Sequence, residues 1–129
     1  MNKKIVITGI LLIIVAIILG AFGAHALKEI LSEAKLKSFE TGVRYQIYHG
    51  LAFLILGLNA DRFSFSLKSY YVLTLIGVVL FSGTLYLLAL QESLTVSLTF
   101  LGPVTPLGGL LMIIGWSFLL FNILKKQQS

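Results

Sequence analysis

An all-α bundle of four membrane-spanning helices, with a short interfacial amphipathic helix between helices 1 and 2, is the fold class the sequence predicts. Three observations predict it. Apolar residues make up 57% of the chain and charged ones 12%, with a mean hydropathy of +0.97, far from the composition of a soluble domain. Four hydrophobic runs, at roughly 5–26, 40–60, 69–91 and 106–124, each approach the 20 or so residues needed to cross about 30 Å of hydrocarbon. The basic residues sit beside the ends of those runs, where they orient a chain in the bilayer. Residues 1–129 therefore read as one integral membrane domain with no separate soluble part.

The first span, Ile5 to Ala24, is twenty residues without a charge. Lys3, Lys4 and the Ala24-His25-Ala26 step resemble a signal peptide, but the apolar run exceeds an h-region of about 7 to 15 residues, so a retained helix is expected. Ala16, Gly20 and Ala24 recur every fourth residue and suit close helix approach. Leu27 to Ser38 then places Leu27, Ile30, Leu31 and Ala34 on one helical face among Lys28, Glu29, Glu33, Lys35 and Lys37. That pattern fits a helix lying in the interface, and equally a solvated connector.

The second span holds nearly all the unusual chemistry. Tyr45 to Ala60 is only sixteen residues, and Asp61-Arg62 closes its far end. The helix must extend towards Phe39-Glu40-Thr41-Gly42-Val43-Arg44-Tyr45-Gln46-Ile47-Tyr48-His49 to cross the bilayer. At about 1.5 Å per residue, Arg44 then lies roughly 6 Å and His49 roughly 13 Å inside the hydrocarbon. Glu40 and Arg44, Arg44 and Tyr48, and Tyr45 and His49 are each four apart and stack on successive turns. Glu40, Arg44, Tyr45, Tyr48 and His49 share one half of the helix, and that half is expected to face protein. Snorkelling of Arg44, with both tyrosines as interfacial anchors, stays open beside this reading. His49 lies too deep to snorkel and is expected to face inwards. His25, on the same side of the membrane as the start of this helix, is expected either to share its vestibule or to cap the end of the first span.

Ser69 to Gln91 is an uncharged third span opened by Tyr70 and Tyr71, with Gly77, Ser82, Gly83 and Thr84 for helix contact and Tyr86 as a polar tip. Gly102-Pro103 and Pro106 interrupt any helix from Ser93, so the fourth span is expected to begin near Pro106, where proline suits a first turn. Ser93 to Leu101 reads as loop, with a re-entrant segment as the alternative. The fourth span ends at Lys125-Lys126. With four spans the termini share a side carrying Lys3, Lys4, Arg62, Lys68, Lys125 and Lys126, against Lys28, Lys35, Lys37 and Arg44 opposite. Six against four places both termini in the cytoplasm.

Zero cysteines exclude disulfides and thiolate metal sites. Two histidines at unequal depth, with no further ligand nearby, argue against bis-histidine haem or metal ligation, so no cofactor is expected. No Ser/His/Asp arrangement or phosphate-binding loop is present, and no enzyme activity is expected. The net charge of +5 is accounted for at the membrane boundary, not by nucleic acid. The partner is the lipid bilayer, with a second copy or a membrane complex as further candidates.

Gly20-Ala21-Phe22-Gly23-Ala24-His25-Ala26-Leu27, the Phe39 to His49 stretch, Leu80-Phe81-Ser82-Gly83-Thr84-Leu85-Tyr86 and Gly102-Pro103-Val104-Thr105-Pro106-Leu107-Gly108-Gly109 together resemble the DUF423 family of small bacterial inner-membrane proteins. The resemblance implies a multi-pass protein of four helices in the cell membrane and brings no activity with it. Two function classes follow. In one, His25, Glu40, Arg44, Tyr45, Tyr48 and His49 form a site that binds or transports a small polar or anionic molecule or a lipid headgroup. Arg44 would pair the anion there, Glu40 would hold Arg44, and His49 would exchange a proton. In the other, the cluster serves helix packing in a structural or assembly subunit of a larger membrane complex.

Overall fold

A computed structural model describes residues 1–127 and is all-α, with no strand among them. Helix α1 runs Lys3–Ala24, α2 Ala26–Ile30, α3 Glu33–Leu58, α4 Lys68–Leu90 and α5 Val104–Gln127. Among the described residues three helical segments are long and apolar enough to cross a membrane: α1, α4, and α5 with the turn before it. Helix α3 is as long as these, at 26 residues, and falls short in hydropathy because Arg44, Gln46 and His49 interrupt its apolar run.

The interfacial helix expected over Leu27 to Ser38 is not one helix. Helix α1 ends at His25, whose backbone N–H still reaches the Ala21 carbonyl at 3.2 Å, and α2 lasts only five residues. Leu31 is extended, at φ −98° and ψ 145°, which breaks the helix. Ser32 then caps α3, accepting from the Lys35 N–H at 3.3 Å, so Glu33 to Ser38 form the first turns of α3. At the opposite end of α1, Asn2 Oδ1 accepts the Ile5 N–H at 3.2 Å.

Helices α1 and α3 run antiparallel along their length. Val6 packs at Gly57, Gly9 at Gly50, Gly20 at Val43 and Gly23 at Phe39, so the partner's number falls as the α1 number rises. A Cβ on Gly9 would lie 2.7 Å from the Gly50 carbonyl oxygen and 2.8 Å from Leu54 N, and only glycine permits this approach. The small residues on the buried seam of α1 are thus Gly9, Ala16 and Gly23, whereas Ala24 of the expected stripe is exposed.

Helices α4 and α5 form a second antiparallel pair, with Gly77 against Gly108 and Met112, and Thr74 against Gly115. Pro106 sits in the first turn of α5, as its missing N–H requires. Between these helices, Ser93 to Leu101 is loop with one 3-10 turn at Thr99–Leu101. The two pairs join where α3 meets α4. There Phe53, buried beside Ile5, Leu67, Tyr70, Tyr71 and Leu119, anchors one core, and Phe39, Ala16, Val43 and Ala89 anchor the other. Outside these cores the bundle presents large apolar residues outwards, among them Ile17, Ile113, Leu120 and Phe121, the surface expected of a protein in lipid.

Candidate functional site

Packing along α3 selects the face built from Phe39, Gly42, Val43, Gln46, His49, Gly50, Phe53 and Gly57, all buried. These positions follow three-and-four spacing, the seam of a helix packed on two sides. The half expected to face protein is rotated away from this seam. Glu40, Arg44 and Tyr48 are exposed, Tyr45 is 40% exposed, and His49 alone of that set is buried, at 6%. Arg44 donates to Thr41 Oγ1 at 3.2 Å, and no ion pair joins it to Glu40 among the described residues. Both line a shallow groove of about 280 Å³ with Gly20, Gly23, Phe39 and Val43. His25 lies exposed at the end of α1, against Ile17, Ile18, Ala21 and Phe22. Gly9 packs on Gly50, next to His49, so His25 is roughly 24 Å farther along α1 at 1.5 Å per residue. The six residues therefore divide among three places, and one vestibule does not hold both histidines.

Gln46 supplies what the sequence reading missed. Its Nε2 donates to the Leu12 carbonyl of α1 at 2.9 Å, and its Oε1 accepts from the Tyr86 hydroxyl of α4 at 2.7 Å. One turn away, Ser82 Oγ donates to the Gly42 carbonyl at 2.7 Å. The signal was present in the spacing Gly42, Gln46, Gly50, a small-residue line with one amide in it.

His49 occupies the other flank of α3, at the junction with α4 and α5. Its Nδ1 lies 2.7 Å from the Tyr45 carbonyl oxygen. A carbonyl only accepts, so Nδ1 carries the proton and Nε2 is the free acceptor. Nε2 receives the indole N–H of Trp116 at 3.0 Å. The His49 and Trp116 rings are 5.9 Å apart, Tyr45 stacks on His49 at 6.5 Å, and Phe81 packs on Tyr45 at 4.9 Å. Together with Gly109, Met112, Ile113, Ser117 and Leu120 these rings line a cleft of about 490 Å³, within the range of small-molecule sites. It opens sideways onto the apolar exterior formed by Ile113 and Leu120.

The cleft sits half-way along the bundle. Trp116 is near the middle of α5, and Gln46, one turn before His49, is bonded to Leu12 near the middle of α1. A lone neutral imidazole and an indole N–H, paired with each other, are its central polar groups. Among the described residues no group of three potential metal ligands occurs.

An all-helical chain with several bilayer-length apolar helices, an apolar exterior and its polar side chains tied between helices defines an integral membrane protein. The chain belongs to the DUF423 family: the family model described as "Protein of unknown function (DUF423)" matches residues 19–109. It is 40% identical over 123 residues to a UPF0382 membrane protein of Staphylococcus haemolyticus, covering 95% of this chain and 97% of the relative. It is 36% identical over 125 residues to the UPF0382 membrane protein YwdK of Bacillus subtilis, covering 95% and 98%. With a UPF0382 membrane protein of Haemophilus influenzae it shares 38% identity over 109 residues, 84% of each chain. No solved structure matches the chain.

Proposed function

We propose that this is a four-span protein of the cell membrane, with both termini cytoplasmic, that binds a lipophilic small molecule without catalysis in the cleft beside His49. The observation that carries the binding reading is the cleft itself: about 490 Å³, at mid-height, aromatic-lined and open towards the lipid. A molecule reaching it from the bilayer needs an apolar body, because Phe81, Met112, Ile113 and Leu120 form much of the wall. Arg44 lies on another face of α3, which removes the motive for an anionic ligand in this cleft.

The fourth span is α3. It keeps antiparallel register with α1 from Phe39 to Gly57, so it covers the same thickness of bilayer that α1 does. Gln46 and His49, its buried polar side chains, are hydrogen-bonded to neighbouring helices. Orientation follows from charge. Around the termini Lys3, Lys4, Arg62, Lys68 and Lys125 face a single acid, Asp61, which pairs with the N-terminal ammonium. At the other end lie Lys28, Lys35, Lys37 and Arg44, one basic residue fewer, and it is the Lys and Arg bias that sets the orientation.

Gly109 offers the test. A Cβ there meets only Phe81 Cδ2, at 3.8 Å, so Gly109→Leu fills the cleft without a backbone clash. Trp116 is the only tryptophan, and its fluorescence reports on the cleft directly. In nanodiscs a panel of isoprenoids, quinones and fatty alcohols is titrated against wild type and Gly109→Leu. Saturable change in wild type that is absent from the plugged variant supports the reading. If no compound separates the two proteins, the cleft is not a binding site.

A second reading draws on Gln46, whose bonds to Leu12 and Tyr86 serve helix packing. In that reading the protein is an assembly subunit, and cross-linking in intact membranes should capture a stoichiometric partner.

A further inference from the structure

Resting on the binding reading, we infer that the cleft selects lipophiles bearing a hydroxyl group, and that the group inserts between His49 and Trp116. His49 Nδ1–H is committed to the Tyr45 carbonyl at 2.7 Å, which leaves Nε2 as an acceptor with no proton of its own. Trp116 supplies one N–H and has no acceptor nitrogen. Closed, the two satisfy each other at 3.0 Å.

Opening this pair exposes one acceptor and one donor side by side at mid-bilayer, where neither has water to turn to. A hydroxyl satisfies both at once: its O–H donates to Nε2 while a lone pair on its oxygen accepts the indole N–H. A ketone, an ether or a quinone carbonyl accepts from Trp116 but donates nothing, so Nε2 stays unpaired in an apolar wall. A buried acceptor left without a donor loses more than the bond itself was worth, which sets the direction of selectivity. Gly109 and Ser117, on the α5 face towards this pair, are small enough to leave room for the entering group.

The pair is also its own reporter. As the single tryptophan, Trp116 contributes one indole N–H cross-peak to a ¹H–¹⁵N spectrum. The experiment titrates the nanodisc-embedded protein with farnesol and, in parallel, with farnesyl methyl ether, which matches it in shape and apolar surface and lacks the O–H. His49→Gln, which retains a side-chain acceptor, and His49→Leu, which does not, are titrated alongside, with helicity and gel filtration confirming the fold of each.

Expected is a saturable shift of the indole peak with farnesol, apparent affinity at least about tenfold weaker for the ether, and a preference that survives in His49→Gln and disappears in His49→Leu. Equal affinities for alcohol and ether in wild type overturn the hydroxyl rule while leaving a cleft that binds lipophiles. Saturable binding of neither overturns both. If the His49 variants do not fold, the comparison of alcohol with ether in wild type decides the matter alone.

Discussion

Tyr86 donates its hydroxyl to Gln46 Oε1 at 2.7 Å while Gln46 Nε2 donates to the Leu12 carbonyl at 2.9 Å, so one amide ties three helices together. Gln46→Leu removes both bonds and leaves the Tyr86 hydroxyl without its acceptor. The expected loss is about 1 to 3 kcal/mol, set mainly by the group left unpaired. Adding Tyr86→Phe should recover part of it, since removing both partners is milder than removing one. Unfolding of the four members of this cycle in mixed micelles measures the coupling. Additive losses would mean that the two side chains do not share a bond.

Gly9 and Gly108 mark the closest backbone approach within each helix pair. A Cβ on Gly108 would lie 2.4 Å from the Phe81 backbone nitrogen, and one on Gly9 meets backbone of α3 at under 3 Å. Neither neighbour is a flexible side-chain end. Gly9→Ala and Gly108→Ala should each cost about 1 to 3 kcal/mol through forced helix separation, despite alanine's better helix propensity. Gly83→Ala, with nothing within 4 Å of its Cβ, is the control and should be neutral or slightly stabilising.

The chain has no cysteine, so single cysteines map its topology without a background. Ser64→Cys in the connection after α3 and Glu29→Cys in α2 are both at exposed positions. With α3 spanning, a membrane-impermeant thiol reagent added to whole cells labels Glu29→Cys and not Ser64→Cys, and the pattern reverses in inside-out vesicles. Labelling of both from one side would remove α3 from the bilayer.

Arg44 should matter little to the cleft. It is exposed and bonded only to Thr41 within its own helix, so Arg44→Ala should leave lipophile affinity within about twofold and stability within about 0.5 kcal/mol. Trp116 fluorescence titration and thermal unfolding check both. A tenfold loss of affinity would return Arg44 to the site.

Lys35 pairs with Glu92 across the start of α3 and the loop after α4, but the Glu92 side chain is 82% exposed. Glu92→Gln should therefore shift the unfolding free energy by less than about 1 kcal/mol.

Apolar length and charge placement determined, without any coordinates, that the chain is an all-helical membrane protein, that apolar helices lie where α1, α4 and α5 do, and that Pro106 falls in a first turn. Hydrophobic runs of bilayer length allow little else, because every backbone group in lipid must be paired within its own helix. His49 is buried, the position its place within an apolar run suggested. The rotation of α3 was not legible. Polarity suggested that Glu40, Arg44, Tyr45, Tyr48 and His49 turn inwards together, yet Gly42, Gly50 and Gly57 set the packed face, and His49 lies at its edge. In lipid no hydrophobic force ranks one apolar face above another, so close approach over small residues decides the phase. Only the tertiary structure brought Trp116 to His49 across 67 positions of sequence, since that pairing depends on the register of α5 against α3, which no spacing within either helix encodes.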